Sequence, residues 1–139
     1  MKGTNCMNII VCLDDNLGML FNKRRQSKDR RVLEDIEKFT NEVLISPFSE
    51  NLFSESSCKT KVDDRFLEKA PYNAYCFVEA DSIFPYIDKI ERIIVYKWNR
   101  KYPTDFKFDI SLESWKMIEQ KEFAGFSHEK ITKEVYVKG

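Results

Sequence analysis

Apolar residues fall along this chain in short runs separated by turn-formers and charges, and the period of the pattern changes from run to run. Residues 8–13 (NIIVCL) form a short apolar run rich in β-branched side chains, the pattern of a strand covered on both faces. The run stops at Asp14, Asp15, Asn16 and Gly18, residue types that favour turns, and a second apolar patch, 19–21, follows at once. Asp29 reads as the N-cap of a helix over 31–40. Val32, Leu33, Ile36 and Phe39 recur there at helical spacing as one buried stripe, with Glu34, Glu37 and Lys38 on the wet face.

Beyond the helix, 42–46 (EVLIS) is the next strand, broken by Pro47. Residues 49–57 are polar and acidic, and 59–69 read as a short helix with Phe66 and Leu67 inward. A third buried strand is expected at 74–78 (AYCFV), then a short helix capped by Asp81 and limited to about one turn by Pro85. Residues 91–98 (ERIIVYKW) form a fourth strand, and 106–110, 115–123 and 131–137 also read as strands. No linker, repeat or low-complexity stretch divides the chain, so 1–139 is expected to be a single domain, with residues 1–6 a start-site remnant ahead of the first patterned element. Strands separated by helices imply parallel crossovers, and the closing run of strands implies an antiparallel hairpin. The expected fold class is α/β: a mixed sheet, mostly parallel with an antiparallel C-terminal hairpin, flanked by few helices.

Composition changes this picture little. A chain of 139 residues that is 42% hydrophobic, with eleven Phe, can bury a core. Its 23 basic and 23 acidic side chains balance, so no global field points to nucleic acid, membrane or acidic ligands. Cys6, Cys12, Cys58 and Cys76 form no CxxC pair, and four reduced thiols suit a cytoplasmic protein. No apolar run approaches a membrane span and no hydrophobic leader follows Lys2. Ribonuclease Z, a label carried by some short bacterial chains similar to this one, works through zinc held by a His-rich motif; with His128 as the only histidine, that site cannot form here.

Charge is concentrated in one place. Residues 22–31 (NKRRQSKDRR) hold six positive charges and one negative, which leaves 17 basic against 22 acidic side chains elsewhere. Clustered arginines grip phosphate or carboxylate with bidentate geometry, and the segment precedes a helix N-terminus. Three readings compete: a small anionic ligand; a nucleic-acid backbone, aided by Phe21; or a solvated basic loop paired with the acidic stretches 49–55 and 63–64. Asp14, Asp15 and Asn16 offer oxygen ligands, but turn chemistry explains them and no metal is expected. His128 reads as a surface residue of the loop between the last two strands, with acid–base chemistry beside Ser127 and Glu129 as the alternative. Tyr96, Trp98, Tyr102, Phe106 and Phe108 read as core and hairpin packing, with a partner-binding face as the alternative.

The order of elements resembles dihydrofolate reductase over most of its length. The residues that carry the resemblance are IIVCLDDNLGML, DRRVLEDIEKFT with EVLIS, CFVEADSIFPYIDKIERIIVYKW, a weak echo in PTDFKFD, and SWKMIEQ with KEVYVKG at the end. The resemblance implies that fold in shortened form, with NADPH as the family's cofactor. It also implies a Gly-Arg-x-Thr stretch after the second strand and a Gly-Gly pair after the third, which meet the cofactor phosphates. Ser46-Pro47-Phe48-Ser49 and Glu79-Ala80-Asp81 stand in those places, so no cofactor is expected. The family's carboxylate near the start of the first helix would correspond to Glu34 or Asp35, but Val32 and Leu33 hold the nearest inward positions and both carboxylates read as solvated.

The expected function is a binding or accessory module with an anionic ligand or partner docking at Asn22, Arg24, Arg25, Ser27, Arg30 and Arg31. The first alternative is a small enzyme acting on a phosphorylated or carboxylated substrate, with Asp29, Glu34 or Asp35 as acid–base. The second is a nucleic-acid-associated accessory protein. No feature of the sequence specifies an oligomeric state.

Overall fold

Strand β1 (Met7–Leu13) lies at the centre of a seven-stranded sheet because its side chains are apolar on both faces. The structure, a computed structural model, describes residues 6–138; the expectation for 1–6 lies outside them except at Cys6. The sheet runs β5 (Lys59–Val62), β4 (Glu42–Ile45), β6 (Ala74–Phe77), β1, β7 (Ile90–Lys97), β10 (Ile131–Lys138) and β9 (Trp115–Phe123). The first five strands pair in parallel, and β7–β10–β9 pair antiparallel, as the closing run of strands implied. Ile9, Val11 and Leu13 face one core with Phe66, Leu67, Ile83 and Phe108. Ile10 faces the other, with Val32, Ile36, Phe77, Tyr96 and Trp98.

Helix α1 (Arg30–Phe39) covers that second face and starts where its cap dictates: Asp29 is extended and its carboxylate accepts from Arg31 N–H at 2.9 Å. Helix α2 (Phe66–Lys69) buries Phe66 and Leu67 against the first core.

Three elements differ from the sequence expectation. Lys59–Val62 is a strand, and helix begins only at Phe66. Its side chains are all exposed, so no apolar period announces it; backbone pairing to β4 makes it, and its lysines protect a sheet edge. Of 106–110, only β8 (Phe106–Lys107) is a strand, and it joins a separate three-stranded sheet with β2 (Gly18–Phe21) and β3 (Arg24–Arg25). The 3-10 helix Phe84–Lys89 is not capped by Asp81: Asp109 accepts from the backbone N–H of Ile83 and Phe84 instead. Among the described residues, no helix is long and apolar enough to cross a membrane.

Candidate functional site

The basic segment does not form an open loop. Asn22 and Lys23 both take positive φ, 52° and 61°, and turn β2 into β3 as a two-residue hairpin. Consecutive strand residues face opposite ways, so Arg24 points to solvent while Arg25 turns inward. There Arg25 meets Glu79, its Nη2 donating to Oε1 at 2.8 Å and its Nε to Oε2. Ser49 Oγ–H donates to the same Oε1 at 2.7 Å, and the guanidinium lies over the Phe48 ring. Serine 49, Glu79 and Arg25 belong to three segments that the sequence marks separately: the turn after β4, the turn after β6 and the basic segment.

A second buried cluster forms at the start of α1. His128, expected at the surface, is only 5% exposed and stacks on Trp98 with ring centroids 4.5 Å apart. Its Nδ1 lies 2.8 Å from Asp29 Oδ2, and its Nε2 lies 2.8 Å from Ser27 Oγ and 3.2 Å from the Tyr102 hydroxyl. Asp29 also accepts the backbone N–H of Phe126 and Ser127, each at 2.8 Å. Burial alone would raise the Asp29 carboxyl. The hydrogen bonds from His128, Phe126, Ser127 and Arg31 outweigh it and hold the group well below the usual carboxylate range. Gly125 makes this approach feasible: a Cβ there would lie 2.7 Å from Asp29 Oδ2 and 2.7 Å from the His128 carbonyl.

Three hollows adjoin these clusters. An inner cleft of about 20 Å³ lies between β1, α1 and the basic segment, with Cys12, Met19, Val32 and Trp98 on its walls and Ser27, Lys28 and Glu79 around them. An outer groove of about 510 Å³ shares Lys28, Asp29, Leu33 and Leu52 with it and extends past Arg30 and Phe126. The third, about 470 Å³, lies between the β2–β3 hairpin and Tyr102–Pro103.

The six residues singled out in the basic segment therefore divide. Asn22 and Arg24 border the third hollow, Arg25 both that hollow and the inner cleft, Ser27 the inner cleft and Arg30 the outer groove, where its guanidinium sits 4.5 Å over the Phe126 ring. Arg31 pairs with Glu34 on the exposed face of α1. Glu34 is solvated as expected, but Asp35 is not. It is 4% exposed and receives the Tyr96 hydroxyl at 2.6 Å, with Lys133 Nζ at 2.9 Å and Lys121 Nζ at 3.2 Å. It joins α1 to β7, β9 and β10 and lines none of the three hollows. Asp14 organises the turn after β1, accepting from the backbone of Asn16, Gly18 and Tyr102 and from Gln26. Among the described residues, no three His, Cys, Asp or Glu side chains group as metal ligands would.

No family model and no curated protein matches this chain. Among solved structures it is similar to dihydrofolate reductase from Enterococcus faecalis, complexed with NADP(H) and RAB-propyl, at 11% identity over 98% of both chains with a TM-score of 0.69. The fold is thus dihydrofolate reductase-like: a mixed, mostly parallel sheet with antiparallel C-terminal strands and few helices.

Sequence reasoning found Asp29 as a cap but missed His128 as its partner. The two lie 99 residues apart, and only the return of β9 into β10 brings them together. The local signal was Gly125, three residues before His128, in a loop that needs a close backbone approach.

Proposed function

We propose that this chain, working as a single cytoplasmic domain, is a binding module on a dihydrofolate reductase-like scaffold. It holds no nicotinamide cofactor and receives a small anionic ligand between the β2–β3 hairpin and Tyr102. The observation that carries this reading is the lining of that hollow. Phe21, Asn22, Arg24, Arg25, Gln26, Tyr102 and Pro103 surround it, with no carboxylate among them. Arg24 enters none of the ion pairs among the described residues, so its fork is free for a bidentate anion. Asn22 adds an amide side chain, and Phe21 and Tyr102 offer rings to the ligand's body.

The residues do not fit a dinucleotide. The resemblance assigns its phosphates to the turns after β4 and β6, where glycine backbone would approach them. Those turns carry Pro47, Phe48 and the Glu79 carboxylate, which Arg25 and Ser49 already hold. A pyrophosphate there would have to displace a buried carboxylate from its cation. Four free cysteines support the cytoplasmic setting.

A second reading, contact with a single-stranded nucleic acid, is favoured by Phe21: it is 40% exposed and cross-strand from Arg24, so a base can stack beside a phosphate. Calorimetric titration with inorganic pyrophosphate, NADPH and a short single-stranded oligonucleotide tests all three. The module predicts pyrophosphate binding that Arg24→Ala abolishes, with no NADPH binding. Salt-sensitive oligonucleotide binding alone favours the second reading, and NADPH binding overturns the first.

A further inference from the structure

We propose that Ser27, His128 and Asp29 form a nucleophile–base–orienter relay that hydrolyses short-chain carboxylic esters at the inner cleft. The three groups stand in one line: Ser27 Oγ to His128 Nε2 at 2.8 Å, and His128 Nδ1 to Asp29 Oδ2 at 2.8 Å. Such relays are recognised by geometry and role, because they recur on unrelated folds in different chain orders. An ionised Asp29, fixed by the N–H groups of Phe126, Ser127 and Arg31, accepts the hydrogen bond from His128 Nδ1–H and so leaves Nε2 as acceptor for the Ser27 hydroxyl. The Trp98 stack holds the imidazole ring in plane. A pin for the loop before β10 would need only the Nδ1 contact. Here the other ring nitrogen faces a serine that lines a cleft.

The cleft sets the substrate class. Its apolar walls, Cys12, Met19, Val32 and Trp98, suit an acyl group, and about 20 Å³ is little more than one water requires, so the acyl chain is short. The alcohol part runs past Lys28, which borders both the cleft and the outer groove.

In the first step Ser27 Oγ bonds to the ester carbonyl carbon while His128 Nε2 takes the hydroxyl proton. The carbon–oxygen bond to the alcohol then breaks, and the same proton passes to the departing alkoxide. Water repeats the sequence on the acyl-serine, releasing the carboxylic acid and restoring Ser27. The Tyr102 hydroxyl lies 3.2 Å from Nε2, beside the reacting centre.

The inference concerns the inner cleft and the anion reading the hairpin hollow; Arg25 and Gln26 line both, so the variants change Ser27, which lines only the first of these two. The full chain is assayed with p-nitrophenyl acetate and labelled with a small fluorophosphonate. Expected are a single label on Ser27 by peptide mass and a loss of about 10²-fold or more in kcat/KM on Ser27→Ala, with the melting temperature retained. Ser27→Cys gains an iodoacetamide label at position 27 by peptide mass, additional to the one the wild type takes at Cys6. Hydrolysis within two-fold of wild type in Ser27→Ala, or a label elsewhere, overturns the proposal. So does a wild-type chain that neither labels nor turns over.

Discussion

Arg25 and Glu79 meet through two parallel hydrogen bonds across the mouth of the inner cleft, and Ser49 adds a third to the same carboxylate. The residue that would repel an anion from the turn after β6 is thereby neutralised by the segment expected to attract one. The pair is mostly buried, with side chains 22% and 9% exposed, so it couples the hairpin, the 3-10 turn at Pro47–Ser49 and the end of β6.

Removing one member leaves the other charge without its partner in a desolvated site. Glu79→Ala is expected to destabilise by about 3 kcal/mol, the lower end for a buried pair because Arg25 retains some water. In the double-mutant cycle with Arg25→Ala, a coupling energy of about 1–3 kcal/mol is expected from urea unfolding. A coupling near zero would mean that the two side chains act separately.

Acid should unfold this protein partly through Asp29. Its folded carboxyl titrates below the ordinary value of about 3.9, because His128 and three backbone N–H groups outweigh the effect of burial. A depressed folded value means that the contribution is complete above about pH 4 and is lost as pH falls through the folded value. Urea midpoints measured from pH 6 down to pH 2 should therefore drop steeply below about pH 4, and Asp29→Asn should flatten that limb while lowering stability at pH 6.

Gly125→Ala tests the same cluster without changing a charge. The added methyl would meet Asp29 Oδ2 and a backbone carbonyl, neither of which is the end of a flexible chain free to withdraw. A loss of about 1–3 kcal/mol is expected, the ordinary cost of overpacking, read as a fall in melting temperature.

The frame was legible where burial is two-sided or periodic. Strand β1 announces itself by an unbroken apolar run, and α1 by Asp29 followed by Val32, Ile36 and Phe39. Strand β5 was not legible, because its residues KTKV carry no buried face and only pairing with β4 creates it. Six positive charges obscured the hairpin at Asn22-Lys23, whose signal was an Asn at a position requiring positive φ. The polar clusters were the least legible part. His128 with Asp29 and Tyr96 with Asp35 are contacts over 99 and 61 residues, which no local window contains.

Thiol chemistry gives an independent check on the packing. Burial pushes the Cys76 thiol up to about 12 and raises Cys12 and Cys58 as well. With an aromatic disulfide reagent at pH 8, Cys6 should react fast in the native protein, Cys12 on the cleft wall slowly, and Cys58 and Cys76 only after denaturation. Fast reaction of Cys58 or Cys76 would place that thiol inside the reach of solvent.

The Asp35 cluster predicts an order of effects rather than a single value. Its carboxylate is buried among Tyr96, Lys133 and Lys121, and Lys133, itself 9% exposed at the side chain, also lies 4.6 Å from the Phe39 ring centroid. Asp35→Ala strands a buried ammonium and should cost about 3–5 kcal/mol. Tyr96→Phe removes one hydroxyl yet leaves the carboxylate two cations, so about 1–2 kcal/mol is expected. Lys121 is 45% exposed, and its pair is screened by water, so Lys121→Ala should stay within about 1 kcal/mol. Chemical denaturation of the three variants gives the ranking directly. If Lys121→Ala costs as much as Asp35→Ala, the carboxylate depends on its outer cation rather than on Lys133, and α1 is held from the solvent side of β9 instead of through the core.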